Sequence, residues 1–228
     1  MSLLTLVQQA CYTLAIPPPT TVYGNTDDTP LHLLALSNEE GRSLAERHNW
    51  QALTTEKTFT TVAAAAQTSS IASDFSRMIP ETIFNRTTKR RVIGPVSSDE
   101  WQAAQASSTT YINPVFRIRG GTILIYPTPS AGDTVAYEYV STDWCSGGAA
   151  WTDDTDTGVL SESLMTLGLV WRFKMSRGMD YGPDRQIYEH RVRDAIMRDG
   201  SRPRLSSDPG PSDYTPHAPL VPEASWNI

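Results

Sequence analysis

Thiol and imidazole are scarce in this chain. Cys11 and Cys145 are the only cysteines among 228 residues, which excludes a disulfide-stapled secreted scaffold and any zinc site built on four thiolates. Reduced thiols are expected, in a protein made and kept in the cytoplasm. The four histidines, His32, His48, His190 and His217, are spread so that none pairs with another or with a cysteine at metal-ligand spacing. Long apolar runs are missing too: no stretch approaches the ~18 apolar residues of a membrane span, and no basic segment precedes the apolar N-terminal residues. Positive charge is short. The 19 Lys and Arg face 25 Asp and Glu, a net charge of −6, which is too little for a footprint that wraps nucleic acid. An acidic protein can still border DNA without gripping it.

Catalytic signatures are absent as well. There is no G-x-S-x-G elbow, no phosphate loop and no dinucleotide fingerprint, and Gly120-Gly121 runs into a strand pattern rather than opening a helix. Glu39-Glu40 and Asp153-Asp154 are adjacent in sequence, so they are expected to point differently on a helix or to sit in an open loop, not to act as a catalytic pair. Asp153, Asp154 and Asp156 resemble a calcium loop only superficially, because no glycine sits at its sharp turn and no glutamate closes twelve residues. No catalytic residue, cofactor or metal is expected. The chain reads as a structural protein, not an enzyme.

What is present is helix and strand punctuated by 16 prolines and 14 glycines. Leu3, Val7, Ala10 or Cys11, and Leu14 fall on one stripe of a helix starting at the capping residue Ser2 and stopped by Pro17-Pro18-Pro19. Thr26-Asp27-Asp28 predicts side-chain capping of a second helix running to about His48, with Pro30 in its first turn. Leu33, Leu36, Glu40, Leu44 and Arg47 share one side of it. That polar content predicts a helix half exposed or facing a neighbouring subunit. Trp50, just beyond, reads as a core plug.

Thr54 to Val62 alternates as a strand with one wet face, and the alanines at 63–66 allow a turn or a brief helix. Val115–Arg119, Gly120-Gly121 and Thr122–Tyr126 predict a hairpin with a primed turn. Asp133 to Val140 supplies its partner strand in one small antiparallel sheet, and Ser97-Ser98-Asp99-Glu100-Trp101 starts a short helix packed on it. Arg86, Lys89, Arg90 and Arg91, with Arg117 and Arg119, are the one concentration of positive charge, read as a solvated or salt-bridged face or as contact with an acidic partner or passing DNA. Leu160, Leu164, Leu167, Trp171 and Met175 predict a third helix from Ser161-Glu162 to Arg177-Gly178. A fourth, from Asp184 to about Arg198, carries a narrow stripe of Ile187 or Tyr188, Val192, and Ala195 or Ile196, supported by Glu189–Arg193 and Asp194–Arg198 pairs.

These elements predict an α+β fold. Helical halves at 1–53 and 158–200 form a four-helix bundle-like body, 54–157 is an inserted antiparallel β-rich domain, and 201–228 is an extended proline-rich tail. The tail's sparse apolar residues Tyr214, Leu220, Val221, Trp226 and Ile228 are candidate partner-binding anchors.

Several motifs extend this reading: Leu3 to Pro19; Leu34 to Leu44, followed by Trp50-Gln51-Ala52-Leu53-Thr54; Asn85-Arg86-Thr87-Thr88; Phe116 to Gly121; and Leu164 to Arg172 with the Asp180-Tyr181 turn. Across residues 3–200 they resemble the head-to-tail adaptor proteins of short-tailed bacteriophages, also called connectors or tail tubular protein A. The resemblance implies a virion protein at the head-to-tail interface. It implies a dodecamer, a twelvefold ring of copies beneath the portal protein and above the tail nozzle protein, with DNA passing its lumen without specific binding. It implies no catalytic residue or cofactor. Two rivals remain, a stopper or tail-completion protein, and a tail receptor-binding component using Trp144 and Trp151.

Overall fold

A computed structural model describes residues 2–106 and 113–200. Their order is α1 (Leu3–Leu14), α2 (Asp28–Arg47), a single 3-10 turn (Gln51–Leu53), β1 (Thr54–Thr60), β2 (Ala66–Gln67), β3 (Phe75–Met78), β4 (Phe84–Asn85) and β5 (Arg90–Arg91). Then follow α3 (Ser98–Ala106), β6 (Val115–Arg119), β7 (Thr122–Tyr126), β8 (Thr134–Ser141), α4 (Glu162–Ser176) and α5 (Gly182–Asp199). The fold is a mixture of helices and antiparallel sheet.

The ends of the helices follow local chemistry. Ser2 Oγ accepts the Thr5 amide at the start of α1, and Ala15 closes it in the left-handed region at φ 55°, ahead of the three prolines. At α2 the expected side-chain cap does not form: Asp27 occupies the capping position without a side-chain hydrogen bond, and the Asn25 side chain instead accepts the Asp27 amide. α3 starts on a capping box, with Ser97 Oγ accepting the Glu100 amide and Glu100 accepting the Ser97 amide.

α4 is the axis of the helical part. It packs against α1, α2 and α5 and buries Leu164, Met165, Leu169, Val170, Trp171 and Phe173 among its core residues. The expected stripe holds for Leu160, Leu164 and Trp171, but Met175 lies 43% exposed where the helix outruns its neighbours. Two helix glycines permit close approach. A Cβ on Gly168 would stand under 3.0 Å from the Glu40 carboxylate, and one on Gly41 would strike the Trp144 ring. Trp50 is buried and donates its indole N–H to the Leu44 carbonyl, as a core plug should.

The β-rich region departs from a single small sheet. β8 pairs along its whole length with β1, from Thr54 opposite Val140 to Thr60 opposite Thr134, and along its other edge with β3 and β4; β4 in turn pairs β5. The β6–β7 hairpin belongs to a second sheet, completed by β2. Its turn uses Gly120 and Gly121 at φ 58° and 70°, the left-handed pair a primed turn needs. β8 has buried side chains on both faces, so it fits the middle of a sheet and not the hairpin's edge. Ala63–Ala66 forms no helix, and Ala66 enters β2. The sheets share a core of Phe59, Ile83, Phe116, Ile123, Val135 and Tyr137. The other face of the hairpin, Val115 and Leu124, is covered by Trp101 and Ala104 of α3.

Candidate assembly surfaces

The helical part is organised around a buried charge. Glu40 is fully buried on α2; its Oε2 accepts from Arg172 Nε of α4 at 2.7 Å, and its Oε1 accepts from the Tyr188 hydroxyl of α5 at 2.5 Å. Arg172, 6% exposed, extends its Nη1 to Glu39 and lies over the Trp171 ring at 4.8 Å. Three helices therefore meet on one carboxylate. Burial pushes the Glu40 carboxyl up, against the opposing pull of Tyr188 and Arg172. Burial likewise raises the Tyr188 hydroxyl, and the Glu40 charge adds to the rise. Glu40, the polar residue of that stripe, is thus satisfied within the chain, while α2 buries eight of its 20 residues and leaves the others half-buried or exposed, in line with the half-exposed helix expected. A glutamate standing at a core position of the Leu33–Leu44 stripe, and an arginine inside the apolar run of α4, were the signals for this site.

α5 is clamped by its acids. Glu189 takes a two-pronged contact from Arg47 at 2.8 and 3.0 Å, Asp184 takes Lys174 at 2.6 Å, and Asp199 accepts the Gln51 amide with His48 at 3.4 Å. Arg47 holds the Glu189 carboxyl below its usual range. The expected Glu189–Arg193 pair gives way to this clamp, while Asp194–Arg198 stands at 4.0 Å. α5 buries only Tyr188 and Val192, so Ile187, 53% exposed, and Met197, 79% exposed, face outward.

The acidic loop is a staple. Asp154 Oδ1 accepts the Val22 and Tyr23 amides at 3.1 and 2.7 Å; Asp156 accepts from Thr152 and Asp153; Asp153 accepts from Thr155. Hydrogen bonds from Thr155 and from the Thr152 amide, respectively, hold Asp153 and Asp156 below the usual carboxylate range. Those oxygens serve the loop itself, which ties the start of α1 and the approach to α2 together. Among the described residues no group of three or more His, Cys, Asp or Glu stands where it could hold a metal ion.

Elsewhere, Arg86 pairs with Glu56, Arg91 with Glu81 at 3.2 Å, and Arg117 donates to Ser98, so these members of the arginine cluster are engaged locally. A cleft of ≈ 210 Å³ between the sheets, lined by Asn85, Arg90, Pro127 and Asp133, is smaller than a typical ligand pocket of roughly 300–1,000 Å³. Trp144 and Trp151 are buried against each other, rings perpendicular at 5.1 Å, and offer no face to a sugar. His32 packs on Phe173, and His190 lies beside Asp194. His217 and the tail anchors Tyr214, Leu220, Val221, Trp226 and Ile228 lie outside the described residues. No helix of the described residues is long and apolar enough to cross a membrane.

No curated protein matches the chain. The family model described as SU10 adaptor protein matches residues 1–212, which takes in every described element from α1 to α5. The chain therefore belongs to the SU10 adaptor protein family, the structural adaptors of a bacteriophage virion.

Proposed function

We propose that the protein is a head-to-tail adaptor that assembles as a ring, twelve copies around, between the portal protein and the tail nozzle protein, and that the ring's lumen passes DNA during ejection. The match to the adaptor family over residues 1–212 carries this reading. Residues 1–53 and 158–200 serve as the four-helix ring body, 54–157 as an insertion reaching toward the nozzle or neighbouring copies, and 201–228 as the segment that docks on the portal through Tyr214, Leu220, Val221, Trp226 and Ile228. The role is structural and needs no catalytic step.

Physical features support it. A closed ring needs two different faces on each copy, and α5 leaves one half-clad. A net charge of −6 keeps a passing polyanion from sticking. Electron microscopy of the protein mixed with the portal of its own phage tests the reading: a discrete additional ring under the portal is expected, and unchanged portal particles contradict it. Hydrogen exchange of residues 201–228 is expected to slow on portal binding, and unchanged exchange contradicts the docking role.

A further inference from the structure

β1 is the longest strand that ends a sheet. It has seven residues, four of them threonine, and β8 pairs with one side of it. The sheet ends at β2 and β5 have two residues each, β3 carries a shift in its register, and the outer side of β6 takes Ile93 and Val96. The pairing fixes which main-chain groups of β1 are left over. The Thr61 amide donates to the Asp133 carbonyl at 2.8 Å, so in the same register Thr55, Lys57 and Phe59 face β8. Opposite the alternate residues, the Glu138 and Thr134 carbonyls turn to the far side, where they accept the Ile79 and Arg86 amides at 3.0 and 2.8 Å. The amides and carbonyls of Glu56, Thr58 and Thr60 therefore aim away from β8, and none of them bonds another main-chain group among the described residues. The Glu56 carboxylate pairs with Arg86 and so does not screen this edge. An open, exposed edge of this length is a template for one more strand.

The end of α5 stands at the root of that edge. Asp199, the last residue of the helix, accepts the Gln51 amide at 2.9 Å and lies 3.4 Å from His48, which pins it beside the turn that opens β1. Gly200 then leaves the helix extended, at φ −86° and ψ 151°. In the sequence that follows, Pro203 and Pro209, which have no amide to donate, bracket five residues that do: Arg204, Leu205, Ser206, Ser207 and Asp208.

We infer that residues 204–208 of the same chain add to the outer edge of β1 as a parallel strand. The sense is parallel because both segments start beside Gln51. Residues 201–204 reach about 14 Å when extended, and the 3-10 turn with two strand steps carries the chain about 13 Å from Gln51 to Glu56. Arg204 thus comes level with Glu56 and Asp208 with Thr60. The alternation agrees with this register: Arg204, Ser206 and Asp208 fall on the polar face of Glu56 and Thr58, and Leu205 falls on the face of Phe59, the residue that β1 gives to the core. Main-chain pairing with an open edge is a general mode of peptide capture. The added strand roots the tail on the β-rich region and starts its apolar anchors, from Tyr214 onward, at the Thr60 end of β1. It belongs to the isolated chain and does not rest on the ring.

Hydrogen exchange of single amides, followed by NMR on the full-length chain without portal, tests the pairing. In a parallel pair of this register the Thr58 and Thr60 amides donate to the Leu205 and Ser207 carbonyls, the Leu205 and Ser207 amides donate to Glu56 and Thr58, and the Ser206 amide points outward. Leu205→Pro with Ser207→Pro is expected to speed exchange at Thr58 and Thr60 by about tenfold or more. Ser206→Pro removes only the outward amide and is expected to leave both within a few-fold of wild type. Circular dichroism verifies that each variant keeps the fold. Exchange at Thr58 and Thr60 that is as fast in the wild-type chain as in the double variant overturns the inference, and so does an equal loss of protection with Ser206→Pro. Protection that fades on tenfold dilution places the tail of a second copy on the edge and overturns the assignment to the same chain. With no portal in the sample, any of these outcomes leaves the ring reading to its own experiment, and a missing ring leaves this pairing intact.

Discussion

α4 and α5 are neighbours in one helical hairpin and differ in almost everything else. α4 buries side chains toward α1, α2 and α5 and places Arg172 against the buried Glu40; α5 buries Tyr188 and Val192, half-buries Ala195 and Ile196, and turns Ile187 and Met197 outward. α4 holds the protomer together and α5 presents it. The same split appears in their charges. The charge of Arg172 is met inside the fold, while Arg191 and Arg193 form no ion pair among the described residues.

Substitutions in the two helices should separate these roles, beginning with the largest effect. Arg172→Met removes the guanidinium and leaves the fully buried Glu40 without its charge partner beside Gly168; a loss of about 3–5 kcal/mol in urea unfolding is expected for a broken buried pair. Gly168→Ala drives a methyl group into the Glu40 carboxylate and should cost about 1–3 kcal/mol, the range of overpacked cores, although alanine is the better helix former. A variant as stable as wild type would show that α2 and α4 are not in close approach there.

Alkaline titration contrasts the helical and β-rich regions. Burial pushes Tyr137 and Tyr139 up to about 12, with Tyr137 donating to the Ser70 carbonyl and Tyr139 to Asp74. Both raised values lie above the unfolded value of 10.0, so the stability these groups contribute is fully present below pH 10 and is lost as pH rises toward 12. Tyr188 is raised in the same sense within the helical part. Ultraviolet absorbance of tyrosinate should therefore rise together with loss of circular dichroism above pH 10, and ionisation of all tyrosines near pH 10 in a folded protein would contradict this. The smallest effect belongs to α5: Ile187→Ser should change the stability of the isolated chain by no more than about 0.5 kcal/mol, as at other exposed positions.

The helices were legible because their signals are local. Ser2, the three prolines, the 3.6-residue stripe of α4 and the Arg177-Gly178 stop each act within a turn or two, and the observed bounds follow them. The hairpin was legible for the same reason, through Gly120 and Gly121. Its separation from β8 was not, because β8 pairs with β1 across more than seventy residues and short-range pattern says nothing about which edge a strand joins. The Glu40 site was hidden by a related ambiguity. A glutamate in an apolar stripe reads equally as an exposed edge or as a buried charge, and its partners Arg172 and Tyr188 lie 132 and 148 residues away. On α5, Ile187 and Tyr188 were equivalent by spacing; only the docking of Tyr188 on Glu40 decides which points inward.

Hydrogen–deuterium exchange, resolved by peptide across α4 and α5, tests the division of labour most directly when the chain is measured alone and then bound to its portal. The account predicts that α4 amides are protected in both states, while α5 amides gain protection only on assembly. Equal protection of α5 in the two states, in a sample where the ring has formed, would contradict it.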